Sequence, residues 1–500
     1  MKRCSFDTYA VLVTLLFVAG VFSYRGATDC LTCDELLFVR AVGLGPLDGL
    51  MQAGSSHPPL LRWVMTPLVA ANGSDLVLRV PSILASLVGL FLTWRILRRL
   101  FDDPVTIGLL VPVIGLGELF LVQGYQCTPY ALLMCLTVGH FLSWFRLLEQ
   151  DRPFARIVFV LTAAAAGWTH FYGFNLLVAD QIMWLLIAVQ AYRCPTQGPA
   201  VRTRTWLFTS LAAWLLVAPV VPLARFYMNV EQPFAILQID NYVSYFFTAS
   251  ADLFFRVTFF GRTSVLPMYV LWYGAAMAVL WFALKSRDRD RRWRCAIVLC
   301  GAFLVGFPAM QAHALLSGKA MWQRYAIAGA WVHIPLLTLL VGWLTHVRIT
   351  RSCAACWLAL GMSAFAVGTN WMTWRYQDAA EFIRAQHRAG DAFLAQDMDM
   401  WVGEANMDRL WFERYVHVDI PIVSGLPARR HQLRQCGLPL DEVARTVRRL
   451  WVCSPLYSDR YLRTLATREW QLVELRTFAR HYPVALFERR AAKSAGNVGD

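Results

Sequence analysis

The sequence predicts a polytopic α-helical membrane protein with a small extracytoplasmic α/β domain at its C-terminal end. Hydrophobic residues make up 57% of the 500 residues and charged residues only 16%, against roughly 45–50% and about 25% in soluble domains. The mean hydropathy is +0.44. So few charges could not cover the surface of a soluble protein of this size, and the same composition excludes a disordered chain.

Membrane spans are predicted wherever about 20 apolar residues follow one another. A central Arg or Lys would cost a spanning helix about 2.5–3.5 kcal/mol, so the basic clusters separate the spans. About eleven stretches qualify, near residues 9–24, 80–97, 104–122, 129–145, 157–170, 173–191, 206–223, 267–284, 295–312, 325–345 and 353–370.

The basic clusters alternate between the two sides of the predicted bundle. Connections on one side are rich in Lys and Arg, as in Lys285–Arg294, while those on the other side are longer and poorer in charge. The positive-inside rule therefore places the N-terminus in the cytoplasm, and an odd number of spans places the C-terminus outside. This arrangement accounts for the net charge of +14 without a nucleic-acid partner.

Three outer regions follow from this orientation. The first is a loop at 25–79, and the second lies at about 224–266, where the aromatic stretch Val243–Phe260 is typical of an interfacial helix. The third is the C-terminal tail. We therefore divide the chain into a transmembrane domain, residues 1–370, which includes the first outer loop, and a C-terminal outer domain, residues 371–500.

The tail regains charged residues and loses the long apolar runs. The segment DAAEFIRAQHRAGDAFLAQD predicts an amphipathic helix, a Gly turn and a strand. RRLWVCSP and YPVALFERR predict buried strands around a helical SDRYLRTLATREW. These elements together predict a small α/β domain.

Common nucleotide and hydrolase motifs are absent from the sequence. There is no P-loop, GxGxxG or GxSxG, which removes ATP-driven transport and the usual hydrolase chemistry. Cys30 and Cys33 form a C-x-x-C, but no second pair of zinc ligands follows at a suitable spacing, so a disulfide is the alternative. Cys436 and Cys453 are a further possible pair.

The first outer loop carries the informative polar residues. Asp34 and Glu35 stand about ten residues after the first span, and His57 precedes two prolines. Adjacent carboxylates at a membrane surface can be merely solvated, or one of them can act as a general base. His57 is likewise either a turn residue or a rigidly presented cation or ligand.

Six segments follow one another in a recognisable order: DELLFVRAVGLGPLDGLMQAGSSHPPLLRW, SDLVLRVPSILASLVGLFLTWRILRRLF, QGYQCTPYALL, WTHFYGF, QRYAIAGAWVHIPLL and RYQDAAEFIRAQHRAGDAFLAQ. This order resembles that of GT-C glycosyltransferases of the family 39 type, which include protein mannosyltransferases and aminoarabinose transferases acting on lipid A. The resemblance implies a GT-C-like fold with a large outer cavity, in a multi-pass protein of a bacterial inner membrane. It also implies sugar transfer from a polyprenyl phosphate to a hydroxyl acceptor, usually with inversion.

The resemblance assigns roles to individual residues. Asp34 matches the catalytic Asp, the proposed base, and Glu35 matches the second acid of that pair. His57 stands where the family carries a Lys or His near the donor phosphate. The predicted phosphate-binding residues are His57, Arg324, Lys319 and Arg262, and the predicted cavity-lining residues are Arg79, Glu118, Tyr130, His170, Tyr172 and Tyr325.

Two departures from the family pattern bear on the chemistry. Ser56 stands where members often have an acid that can bind a metal, so no cofactor is expected and metal dependence is doubtful. Gln126 and Thr128 replace a Glu and an Arg, which indicates a different donor, a different acceptor or weakened activity.

Other readings of the sequence remain open at this point. A transporter or lipid flippase would usually show repeated halves and broken helices at the bilayer centre, and no internal repeat is found. A catalytically inactive, lipid-binding family member is the third reading. The expected partners are a polyprenyl-phosphate sugar donor, membrane lipid and an acceptor that the sequence does not name.

Overall fold

The computed structural model forms two compact units. Met1–Ala27 and Ser56–Met372 form the first, and Thr28–Ser55 and Thr373–Asp500 form the second. The two units are defined by contacts within the structure, whereas the predicted domains are defined by which residues lie in the membrane and which lie outside it. The predicted domain boundaries therefore stay predictions. The structure describes residues 5–44, 58–71, 73–193, 202–223, 265–285, 291–301, 304, 331–368, 377–395, 401–402, 405–424, 438–439, 447–453, 463, 470–478 and 482–490.

The first unit is built from apolar helices, as predicted. Within the described residues, Phe6–Thr28, Asp75–Leu100 and Pro129–Glu149 are long and apolar enough to cross a membrane. The total of eleven spans stays a prediction. The other helices are Leu60–Ala70, Pro104–Gly115, Glu118–Gln123, Pro153–Thr169, Phe174–Arg193, Thr203–Val217, Val265–Lys285, Arg291–Gly301, His333–Leu344 and Val347–Gly368, with a 3-10 turn at Phe171–Gly173.

The third predicted span, 104–122, is broken in the structure. One helix ends at Gly115, and the next begins at Glu118 after Leu116 and Gly117. The second piece ends against Gly124, where a Cβ would meet the carbonyl oxygen of Phe120 and lie 2.6 Å from the ring of Phe22. Glycine therefore permits a close approach that leads the chain into the loop 124–128.

Large aromatic side chains fill the middle of the first unit. Trp206 lies between Trp144 and Trp184, with ring centroids 4.5 and 4.9 Å away. Beside them, His140 Nε2 lies 2.9 Å from an Asp180 carboxylate oxygen, and the Trp144 indole donates to the same carboxylate at 2.6 Å. The carboxylate of Asp180 thus joins its own helix to Pro129–Glu149.

The second unit contains a six-stranded sheet with strand order β5-β4-β1-β6-β8-β7 and a separate pair, β2-β3. Strand β1 pairs in parallel with β4 and β6, and β4 with β5, while β8 pairs antiparallel with β6 and β7. The strands are β1 (Asp391–Ala395), β2 (Trp401–Val402), β3 (Ala405–Asn406), β4 (Ile422–Ser424), β5 (Leu438–Pro439), β6 (Arg449–Cys453), β7 (Trp470–Phe478) and β8 (Tyr482–Arg489).

The predicted helix, Gly turn and strand of the tail are present. Gln377–Gln386 is helical, Gly390 has φ 89°, and β1 follows. RRLWVCSP and YPVALFERR contain β6 and β8, as predicted. Strand β7 was not predicted, because its first residue, Trp470, is the last residue of SDRYLRTLATREW, which was predicted to be helical. Most of that predicted helix lies outside the described residues.

Buried charge stabilises the central strands. Asp391 begins β1, and its carboxylate accepts two hydrogen bonds from Arg449 at 2.7 Å and one from the Trp451 indole at 2.8 Å. Burial alone would raise the pKa of Asp391, but these hydrogen bonds lower it below its ordinary value. Charge-assisted bonds of this kind are the strong ones in proteins, so β1 and β6 are joined by side chains as well as by their ladder.

Candidate functional site

The predicted acid pair begins a helix, Cys33–Gly43, in the second unit. Thr32 is its N-cap and forms a capping box with Glu35. The Thr32 hydroxyl accepts from the Glu35 amide at 3.4 Å, and a Glu35 carboxylate oxygen accepts from the Thr32 amide at 2.8 Å. Such reciprocal bonds satisfy two donors that the first helical turn leaves open. Glu35 is 0% exposed, so its carboxylate serves the helix start.

Asp34 has a different environment. Its side chain is partly exposed, although it is the direct neighbour of a fully buried carboxylate. It lies in the first turn, where the amide groups and the helix dipole favour a negative charge. The two acids are therefore not equivalent: Glu35 holds the backbone and is fully buried, whereas Asp34 is partly exposed.

In the first unit, Arg79 is fully buried, and its predicted cavity-lining role stays a prediction. Its Nη1 donates to the carbonyl oxygen of Gly26 at 3.2 Å, and its guanidinium lies 5.2 Å from the ring centroid of Tyr125. Arg25 lies 4.8 Å from the same ring. Two cations therefore meet one aromatic ring, a favourable cation–π arrangement. The sequence alone did not assign Arg25 to the site, although its position at the predicted outer end of the first apolar run is a signal.

The loop 124–128 carries Tyr125 and the two family departures. Ser86 donates to the Gly124 carbonyl at 2.7 Å, and Gln126 and Thr128 are buried. Buried amide and hydroxyl groups carry no charge, so this loop lacks the acid and the base of the family pattern. The loop is held by neighbouring helices and presents polar atoms inside the unit.

Tyr130 and His170 are brought together. Both are buried, and their ring centroids lie 5.7 Å apart. Tyr130 is the second residue of the helix Pro129–Glu149, and His170 is the C-cap of the helix Pro153–Thr169. A cavity-lining role for either residue stays a prediction.

The remaining predicted residues are only partly covered by the structure. Glu118 is the first residue of its short helix, and Tyr172 lies in the 3-10 turn. Their roles stay predictions. The residues that lie outside the described residues are His57, Arg262, Lys319, Arg324 and Tyr325.

A metal site has no support in the part of the chain that the structure describes. No group of three or more His, Cys, Asp or Glu side chains there could hold an ion. Metal-independent activity stays a prediction, which rests on Ser56.

The buried pair His140–Asp180 was missed by sequence reasoning. Ionisable side chains inside a membrane-spanning bundle are costly unless paired, so their occurrence in the spans predicted at 129–145 and 173–191 was a usable signal. The pair is satisfied by the Trp144 indole, and Thr162 lies 3.4 Å from the second nitrogen of the His140 ring. It is consistent with a packed junction of three helices.

Comparison with known proteins finds a family model that matches about a third of the chain. Residues 56–223 match the family model described as dolichyl-phosphate-mannose-protein mannosyltransferase. This match confirms the predicted resemblance to GT-C glycosyltransferases of the family 39 type. The matched residues cover the second half of the predicted first outer loop and several of the predicted spans that follow, including the loop 124–128.

Two solved structures also align with the chain. Both are of ArnT from Cupriavidus metallidurans, one bound to undecaprenyl phosphate and one in the apo state. The first is 13% identical with a TM-score of 0.45, covering 95% of this chain and 97% of that one. The second is 15% identical with a TM-score of 0.46, covering 96% and 98%. No curated protein matches the chain.

Proposed function

We propose that this protein is an integral membrane glycosyltransferase that moves a sugar from a polyprenyl-phosphate donor to a hydroxyl of an extracytoplasmic acceptor, with inversion. The observation that carries the proposal is the different environment of the two acids. Glu35 takes part in the capping box, whereas Asp34 is partly exposed. The family match over residues 56–223 supports the reaction class.

The chemistry follows from this arrangement. The acceptor hydroxyl attacks the anomeric carbon, and Asp34 takes its proton as the new C–O bond forms. The bond between the anomeric carbon and the phosphate oxygen breaks, and polyprenyl phosphate leaves with the electron pair. A single displacement inverts the anomeric centre. General-base catalysis of this kind typically contributes about 10²–10⁴-fold.

The leaving phosphate needs its charge stabilised more than it needs a proton. We assign this role to Arg324, because a guanidinium can bind phosphate through two parallel hydrogen bonds. His57, Lys319 and Arg262 are further candidates, on the grounds of charge and predicted side. No cofactor takes part in the proposed reaction.

The proposed location is a bacterial inner membrane, crossed several times, with the N-terminus in the cytoplasm and the C-terminus outside. The active side is then the periplasmic one. The acceptor is a glycan, a lipid or a protein that carries a free hydroxyl, and it reaches the site from the periplasm.

The experiment uses the full chain in nanodiscs with a panel of undecaprenyl-phosphate-linked sugars: mannose, glucose and aminoarabinose. Release of undecaprenyl phosphate and transfer of labelled sugar to periplasmic extract are measured together. Release that depends on Asp34 supports the proposal. Movement of the intact lipid across liposomes without bond cleavage would identify a flippase instead, and binding without release would identify an inactive lipid-binding protein.

A further inference from the structure

Tyr415 contacts the backbone just before the acid-bearing helix Cys33–Gly43. Its hydroxyl oxygen accepts a hydrogen bond from the Leu31 amide at 2.6 Å. Leu31 directly precedes the N-cap, Thr32, and stands three residues before Asp34. All of these residues belong to the second unit.

The bond extends the capping box by one residue. The amides of Leu31 and Thr32 are consecutive, and each donates to a side-chain oxygen, the first to Tyr415 and the second to Glu35. The preceding Asp29 and Cys30 are buried. Two successive peptide groups are therefore fixed in orientation, and they set the direction in which the first helical turn begins.

Tyr415 is itself held in an unusual segment. It lies in the π-helical turn Phe412–Val416, which ends at His417 in the left-handed conformation with φ 51°. π turns are rare and often occur at functional sites, and a left-handed residue other than glycine is uncommon. The turn is anchored by Phe412, whose ring stacks on the buried Phe393 of β1 at 4.3 Å.

We infer that Tyr415 is a positioning residue that orients the first turn of the acid-bearing helix, and thereby the carboxylate of Asp34, for the transfer reaction. The inference rests on the proposed function, because it requires Asp34 to be the base. A backbone that shifts by a few tenths of an ångström moves the carboxylate relative to the acceptor hydroxyl, and rate depends steeply on such alignment. Binding of the donor does not depend on that alignment.

The test is Tyr415→Phe, which keeps the ring and removes the hydroxyl. With the most active donor of the panel, we expect kcat to fall about threefold to tenfold, while KM for that donor stays unchanged. In an Asp34→Asn background, adding Tyr415→Phe should have no further effect, because no base remains to be positioned. Tyr192→Phe is the matched control, since Tyr192 is 89% exposed and the chemical change is identical.

Hydrogen exchange supplies a readout that does not require activity. The peptide covering residues 29–36 should exchange faster in Tyr415→Phe than in the wild type and in Tyr192→Phe. Unchanged exchange would show that the Tyr415 hydroxyl does not hold the Leu31 amide, and would overturn the inference. A wild-type kcat in Tyr415→Phe, or an equal loss with and without Asp34, would overturn the positioning role.

Failure of the inference and failure of the proposed function give different results. If the wild type releases undecaprenyl phosphate, Asp34→Asn does not, and Tyr415→Phe equals the wild type, only the positioning role is overturned. If the wild type releases none from any donor, or if Asp34→Asn retains the wild-type rate, the proposed role of Asp34 is overturned, and the positioning role with it.

Discussion

Adjacent residues of the same chemical type have different environments in this protein. Asp34 and Glu35 share a helical turn, yet only Glu35 is enclosed by a capping box. Glu35 is fully buried and one of its carboxylate oxygens accepts from the Thr32 amide, so it is poorly placed to meet an acceptor hydroxyl. The environment of each acid, rather than its type, therefore decides which one can act as the base.

Asp34→Asn tests the base directly. The amide keeps the size of the side chain but cannot take a proton, so we expect turnover to fall at least about a hundredfold. The protein should still fold and bind undecaprenyl phosphate. Release from the labelled donor and binding of undecaprenyl phosphate are measured in parallel. Near-normal turnover would return Asp34 to the class of solvated surface carboxylates.

Glu35 substitutions test the cap. Glu35→Gln keeps an oxygen that can accept from the Thr32 amide, whereas Glu35→Ala leaves that amide buried without its acceptor. We expect Glu35→Ala to lower the free energy of unfolding by about 1–3 kcal/mol and Glu35→Gln to lower it by less. Thermal unfolding of the purified protein measures both. Glu381→Gln, at an exposed position, is the control; equal losses in all three variants would contradict the capping role.

At the scale of elements, one glycine decides how a helix end meets its neighbour. Gly124 ends the short helix Glu118–Gln123, and a Cβ there would meet backbone and the ring of Phe22. Gly20 lies in the first helix, and a Cβ there would meet nothing within 4 Å. The same substitution is therefore expected to act in opposite directions at the two positions.

We expect Gly124→Ala to destabilise the protein by about 1–3 kcal/mol, because the backbone or the Phe22 ring must move. Gly20→Ala should be neutral or should stabilise by about 0.5–1 kcal/mol, since alanine favours the helix. Thermal unfolding in the same detergent compares the two variants. A larger loss of stability for Gly20→Ala than for Gly124→Ala would show that Gly124 does not lie in close contact with the Phe120 carbonyl and the Phe22 ring.

The junction between β1 and β6 predicts a dependence on pH. The pKa of Asp391 is lower in the folded protein than its ordinary value of about 4. The carboxylate therefore adds stability that is fully present above about pH 4 and is lost as the pH falls through the lowered pKa.

Asp391→Asn should remove this contribution. We expect its Tm to be lower than that of the wild type at neutral pH. The difference in Tm should become smaller as the pH falls below about 4. Asp419→Asn, at an exposed position, should follow the wild type throughout. A difference for Asp391→Asn that stays constant down to strong acid would contradict the buried ion pair.

Local patterns predicted much of the framework but not the contacts that organise it. Apolar runs gave the helical stretches, because burial in lipid and in the bundle both select apolar residues. The break at Leu116 and Gly117 was not predicted, since the apolar run continues through both residues. The contact between Leu31 and Tyr415 joins positions 384 apart, and no periodicity or spacing reports such a pair.

For the whole molecule, the alternation of basic loops predicts the orientation. We expect a reporter fused after Asp500 to lie outside the cytoplasm and one inserted at Asp288 to lie inside. Each position is fused separately to alkaline phosphatase, which is active outside the cytoplasm, and to green fluorescent protein, which fluoresces inside it. A cytoplasmic signal after Asp500 would change the parity of the spans and move the proposed active side.

The composition of the second unit from Thr28–Ser55 and Thr373–Asp500 also has a consequence for biosynthesis. At about 5–20 residues per second, the ribosome reaches Tyr415 roughly 20–80 seconds after Leu31, given their separation of 384 residues. During that interval the acid-bearing helix has left the ribosome without the partner that holds its first turn. Ordering of the helix start that carries Asp34 and Glu35 is therefore a late step, and a chain that stops before the tail lacks the Tyr415 contact at that helix start.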